Sequence, residues 1–434
     1  MARRGAAAVA VMVLMALVAA CDGGRTPAGG PTAAPELKRL WDVPFNGPAE
    51  KVWTGEGLFA VYTSKDGLRG FDAGTGALRW KLRLPDGADG ICGLSDRPNA
   101  DGIAGVVFRS PQKTHLGNGC DIVGAVDTGD GRLLWSHRGM ANLSDVSTGP
   151  AVITVTGRKS DQPDRNGAQR LAVRSGKVLP AILPEGKARP NDTFHDGVHV
   201  ALRRDRGEKA SSFTLYDSES GKRLWSTDPA EGTRLHRIIA GDPVTLEVTV
   251  DGKRSLRTYD ASGEPLRTIG IPGEVAGGVP GRSANGWKTV SGRGPLVSGG
   301  VLVTGFEGGP GVHGAEVHAF DLETGGTLWK RPAGEAAVVA VGDDVVLASA
   351  RVPGEAPSTD PGMEAAGRRL LRSALRGGRY RELGLVPRLK VRGSDGNWRP
   401  DDLQVVPFAW DDGRVYVFHH RTKGSAIAAY QLPR

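Results

Sequence analysis

Cysteine is nearly absent: three in 434 residues. No Cys-x-x-Cys-His run occurs, which excludes covalent haem attachment of that type. No Gly-x-Ser-x-Gly occurs, so no nucleophile elbow is indicated. Aromatic residues make up 6% of the chain, and no basic run interleaves with them in the manner of a nucleic-acid groove. The nine histidines are scattered. His195 and His199 are expected on one extended segment, roughly 13 Å apart, and His419 and His420 on opposite faces of a strand, so no metal site is expected. Long apolar runs are also scarce. The longest, Ala6 to Ala20, is too short to span a bilayer and ends at Cys21.

What is present is a repeat. Asp is followed four residues later by Gly and eight later by Trp at Asp72-Gly76-Trp80, Asp127-Gly131-Trp135, Asp217-Gly221-Trp225 and Asp321-Gly325-Trp329. Alternating runs such as Val317-His318-Ala319-Phe320 precede the Asp, the period of a half-buried strand. The Asp can accept backbone N–H groups of the turn, and the Gly supplies a positive φ. The next strand then carries an indole that one hairpin cannot bury, so a neighbouring copy must supply the other wall. The same logic makes the repeat aspartates turn caps rather than ligands.

Degraded copies fill the gaps, at Leu171-Ala172-Val173 with Ser175-Gly176-Lys177 and at Thr258-Tyr259-Asp260 with Ser262-Gly263-Glu264. The period is about 49 residues, the size of a four-stranded blade. Three strand patterns end the chain (405–408, 414–418, 426–430) with no Trp strand after them, and Lys38-Arg39-Leu40-Trp41-Asp42-Val43 is a Trp strand with nothing before it. Joining them predicts an all-β, eight-bladed β-propeller of four-stranded blades. The N-terminal strand would close the C-terminal blade, with seven blades as the fallback if the weak unit at 335–386 is something else.

Phe71-Asp72-Ala73-Gly74-Thr75-Gly76 and Ala319-Phe320-Asp321-Leu322-Glu323-Thr324-Gly325 resemble the PQQ-type (quinoprotein-like) propeller repeat, and the resemblance covers the chain from about residue 38 onward. Proteins with this repeat include dehydrogenases and non-enzymatic scaffolds similar to outer-membrane assembly lipoproteins. The dehydrogenases need calcium ligands, a catalytic Asp and usually adjacent cysteines over the cofactor, and this sequence has no adjacent cysteines. PQQ-dependent dehydrogenase activity is therefore the least favoured reading, and no cofactor is expected. Gly309-Pro310-Gly311-Val312-His313-Gly314 matches a dinucleotide fingerprint by letter, but the pattern after it is a strand rather than the helix a phosphate needs.

Residues 1–20 read as a signal peptide, and Val18-Ala19-Ala20-Cys21 resembles a bacterial lipobox. The resemblance implies cleavage before Cys21 and lipid attachment to it, on the extracytoplasmic face of the cell membrane. Residues 21–36 are a flexible tether and 37–434 the propeller. Removing 1–20 takes away Arg3 and Arg4, so the net charge falls from +8 to 54 − 48 = +6, a mild balance that fits a mixed solvated surface. Cys92 and Cys120 remain, either bridged or two free thiols.

Turns between third and fourth and between first and second strands are short, and both lie on one face of a propeller. The longer connections (110–119, 158–168, 272–294, 352–367, 387–402) lie on the other. That face carries Trp287 and Lys288, and Trp398 and Arg399, none at a repeat position. They form either a partner or ligand patch or rings tucked under their own loops. The expected function is a monomeric, membrane-anchored, non-catalytic scaffold for a cell-envelope protein, with no nucleic-acid partner. The alternative is a small-molecule or glycan sensor using the channel mouth.

Overall fold

The computed structural model describes residues 35–433 except 272–295, 350–367 and shorter connections, among them 112–118, 183–191 and 307–314. Among the described residues the chain forms eight four-stranded antiparallel sheets. Seven are consecutive in sequence, at 51–81, 90–138, 141–182, 192–227, 233–270, 296–334 and 337–386. The eighth combines Asp402–Asp411, Arg414–Arg421 and Gly424–Gln431 with the N-terminal strand Lys38–Phe45. The weak unit at 335–386 is thus a full four-stranded sheet. Its second strand, Asp344–Ser349, carries the continuous apolar run Val345-Val346-Leu347.

Eight apolar clusters form the core, and each bridges two sheets. Trp53, Tyr62 and Trp80 of the first sheet meet Val106 and Phe108 of the second. Phe45, Tyr416 and Phe418 of the eighth meet Val52, Phe59 and Phe71 of the first. A strand whose two faces both meet neighbouring sheets reads as a continuous apolar run, as Leu58–Thr63 does, buried at every position.

The fourth strands share one irregularity. The register slips beside the Trp position, at Gly70/Phe71 against Trp80 and Leu78, at Ala125/Val126 against Trp135 and Leu133, and at Ala319/Phe320 against Trp329 and Thr327. The same slip recurs at Arg39/Trp41 in the N-terminal strand. A bulge strengthens local twist and re-aims side chains, which turns each indole toward the next sheet.

Three local expectations change. Residues 158–168 are not a loop: Val152–Lys159 and Gln162–Ala172 form a hairpin paired from Val152↔Ala172 to Lys159↔Gln162. Main-chain pairing is indifferent to the polar side chains that suggested a loop there. Within 387–402, Lys390–Arg392 and Trp398–Pro400 form a two-stranded sheet. His195 and His199 lie on two antiparallel strands, with His195 opposite Val200, rather than along one extended segment.

Cys92 and Cys120 are joined in a disulfide with Cα atoms 6.0 Å apart. They lie in the first and third strands of one sheet, which two regular strand spacings would hold about 9.5 Å apart. Register slips at Ile91/Gly93 and at Phe108/Arg109 fall at the two cysteines and curl the sheet edge inward. Reduction, or the Cys92→Ser/Cys120→Ser pair, should cost about 3 kcal/mol of unfolding free energy, read by urea denaturation with and without reductant.

Candidate functional site

The repeat turn is held together by its own aspartate. Asp72 Oδ1 accepts from Gly74 N at 3.0 Å, Thr75 N at 2.9 Å and Thr75 Oγ1 at 2.9 Å, while Gly76 N donates to the Asp72 carbonyl at 2.8 Å. Asp321 repeats the pattern with Glu323 N, Thr324 N and Thr324 Oγ1, and its second oxygen pairs with Arg376 of the next sheet at 2.7 Å. These bonds hold the Asp72 carboxyl below its ordinary value, first through Thr75, and bring Asp321 to about 2, first through the Thr324 amide and then Arg376.

The two turn types of a sheet are tied to each other. Ala73 N donates to Gly57 O, Thr128 N to Gly102 O, Val173 N to Ala151 O and Leu322 N to Gly300 O. First-to-second and third-to-fourth turns therefore share one end of the sheet, and the longer connections leave from the other.

Between sheets the indole of one lies on the turn glycine of the next. Trp80 Nε1 donates to Thr128 O at 3.0 Å, and a Cβ on Gly131 would stand 2.5 Å from the Trp80 ring. Trp41 meets Gly76, Trp135 meets Gly176 and Trp225 meets Gly263 in the same way. Glycine serves twice here, giving a φ near +71° at Gly131 and leaving room for the ring.

A family model described as "Outer membrane protein assembly factor BamB" matches residues 33–182. That segment holds the Trp41, Trp80 and Trp135 contacts. Over that segment the chain carries PQQ-type β-propeller repeats. Among solved structures, the computationally designed Ika8 protein is 14% identical, with 91% of this chain and 99% of that one covered and a TM-score of 0.52. The C-terminal WD40 domain of Sif2 is 11% identical, with 93% and 100% covered and a TM-score of 0.52. At these identities the likeness is one of fold. BamB from Moraxella catarrhalis is 12% identical, with 91% and 99% covered and a TM-score of 0.49. No curated protein matches the chain.

Three joints of the propeller lack the indole. At the third-to-fourth joint Arg170 is buried and donates Nε to Ser218 O at 2.5 Å, Nη1 to Pro180 O at 3.0 Å, and Nη2 to Glu219 O. Its guanidinium covers Gly221 as an indole would, and among the described residues the apolar cluster there is Ala168, Ile182, Val200 and Tyr216. At the fifth-to-sixth joint the stem of Arg267 lies against Gly325. At the seventh-to-eighth joint the roles reverse. Gly384 (φ +140°) stands at the Trp position, and Leu37 from the incoming chain fills the space above it. Leu37 N donates to Leu385 O, and Leu385 N to Pro35 O, both at 2.9 Å. The sequence signal for these joints was the missing Trp after each degraded turn.

Of the residues singled out in the sequence, Cys21, Trp287 and Lys288 lie outside the described residues. Trp398 pairs with Arg392 and Arg399 with Val391 in the small hairpin between the seventh and eighth sheets. Cys92 and Cys120 sit together at the edge of the second sheet. Among the described residues no three His, Cys, Asp or Glu side chains gather. The repeat carboxylates are engaged in their turns, and the cysteines lie 28 apart in sequence.

Gly131→Ala should lose roughly 2–4 kcal/mol by backbone strain plus collision with Trp80. Gly57→Ala, with φ +64° and nothing within 4 Å, carries the strain alone and should lose clearly less in the same denaturation experiment. Asp321 has a folded value of about 2, below its unfolded value near 4, so its contribution holds above pH 4 and fades as pH falls toward 2. Asp321→Asn should flatten the fall of Tm across that window.

Proposed function

We propose that the chain is an eight-bladed propeller whose N-terminal strand closes the ring. In this reading it is held at the extracytoplasmic face of the cell membrane through lipid on Cys21 and is a non-catalytic scaffold for a cell-envelope protein. Ring closure draws support from Lys38–Phe45 pairing with Gly424–Gln431 and from the apolar cluster shared by the eighth and first sheets. The family model's description, that of an outer-membrane assembly factor, supports the scaffold role.

One observation carries the reading. At the tight-turn end, carboxylates, amides and indoles are engaged within the fold, by Asp caps, turn-to-turn bonds and joints. Binding therefore falls to the end with the longer connections. The hairpin Lys390–Arg392/Trp398–Pro400 belongs to that end, between the seventh and eighth sheets, and Trp287 and Lys288 lie in another of its connections by sequence. We assign Trp287, Lys288, Trp398 and Arg399 to the partner face; aromatic and arginine side chains are the residue types that dominate such interfaces.

Trp287→Ser with Trp398→Ser should abolish crosslinking of the native partner in membranes while leaving Tm within about 2 °C. A large drop in Tm with crosslinking intact would show that both rings only pack under their own loops.

A further inference from the structure

Among the described residues the large apolar side chains left exposed are Leu40, Leu78, Val178, Leu224 and Leu266. All lie in the fourth, outermost strand of their sheets. Each has a cation as its chain neighbour: Arg39, Arg79, Lys177, Arg223 and Arg267. A single exposed leucine is ordinary; the same placement in five sheets is a pattern.

The bulge explains three of the five, while Leu78 and Val178 stay in regular register with Phe71 and Leu171. Leu40, Leu224 and Leu266 each occupy the register slip beside the docked residue, so turning Trp41, Trp225 or Arg267 inward turns the leucine outward. The joints then pair them. Trp41 lies on Gly76, two residues before Leu78, and Trp225 lies on Gly263, three before Leu266. Two apolar, cationic edges result, four sheets apart. Leu40 and Leu78 are 39% and 58% exposed, and Leu224 and Leu266 are 45% and 41%.

At the first edge Lys38, Arg39, Arg79 and Lys81 are exposed around the two leucines. Asp42 pairs with Arg39 and Asp72 with Arg79, leaving Lys38 and Lys81 in excess over the exposed Glu36. We propose that this edge, Arg39–Leu40 with Leu78–Arg79, rests on an anionic phospholipid surface. The leucines enter the headgroup layer and the cations meet lipid phosphates, the combination by which peripheral elements hold to charged bilayers. The choice between the two edges rests on the reading of Cys21 as the anchor. The described chain begins at Pro35, clipped to the seventh sheet three residues before Lys38, so this edge is the nearer of the two in sequence to the proposed lipid. The partner face is left free.

The test is hydrogen–deuterium exchange on the full chain in two kinds of vesicle, phosphatidylcholine alone and phosphatidylcholine with phosphatidylglycerol. Amides of 38–42 and 77–83 should exchange several-fold more slowly in the anionic vesicles, with 222–226 and 265–269 unchanged. Leu78→Ser/Arg79→Ser, with unaltered Tm, should lose that protection. Equal exchange in both vesicles, protection at 222–226 instead, or protection by an added protein alone would overturn the proposal. The mass of the N-terminal peptide reports lipid on Cys21 separately. A lipidated chain without edge protection sinks the edge, and an unlipidated chain sinks only the anchor.

Discussion

An indole laid flat on a glycine is the contact on which the rest of this structure depends. A four-stranded sheet alone has two faces and cannot bury both. The Trp of one sheet reaches across the gap and covers the turn of the next, and its Nε1–H satisfies a carbonyl there, as Trp80 does on Thr128 and Trp329 on Leu375. Under Trp41, Trp80, Trp135 and Trp225 the geometry leaves no room for a Cβ, which ties turn, glycine and indole into one unit at those joints. Sheets added by this rule bury both faces of inner strands such as Leu58–Thr63, and the apolar clusters between sheets follow.

The repeat made this unit legible where its three residues survive, because turn chemistry and bulge geometry are local and a spacing of four and eight residues encodes them directly. It also predicted the strand at 38–43 as the missing member of the last sheet. It was silent where the unit changes form. Arg170 fills a Trp place from the third strand rather than the fourth, using three carbonyls in place of one. Leu37 fills another from the opposite side of the joint. Neither substitution keeps a fixed offset from its turn, so no periodicity could announce it. The hairpin at 158–168 was missed for a related reason: its strands are held by backbone bonds that composition does not report.

The same accounting shapes what the molecule can do. Polar groups at the tight-turn end are partnered within the fold, several of them across sheets, as Arg376 is with Asp321 and Tyr416 with the Ala73 carbonyl. That end works as a frame. Among the described residues, the large apolar side chains left exposed sit in the outermost strands.

The sequence by itself determined the repeat unit, because its turn, glycine and indole lie within nine residues of one another in the chain. Only the tertiary structure decided how the irregular joints are filled and how Cys92 reaches Cys120 across a curled sheet. It also decided which large apolar side chains stay exposed on the outermost strands. Those outcomes depend on side chains far apart in sequence meeting across a gap, and their positions are set by packing rather than by spacing.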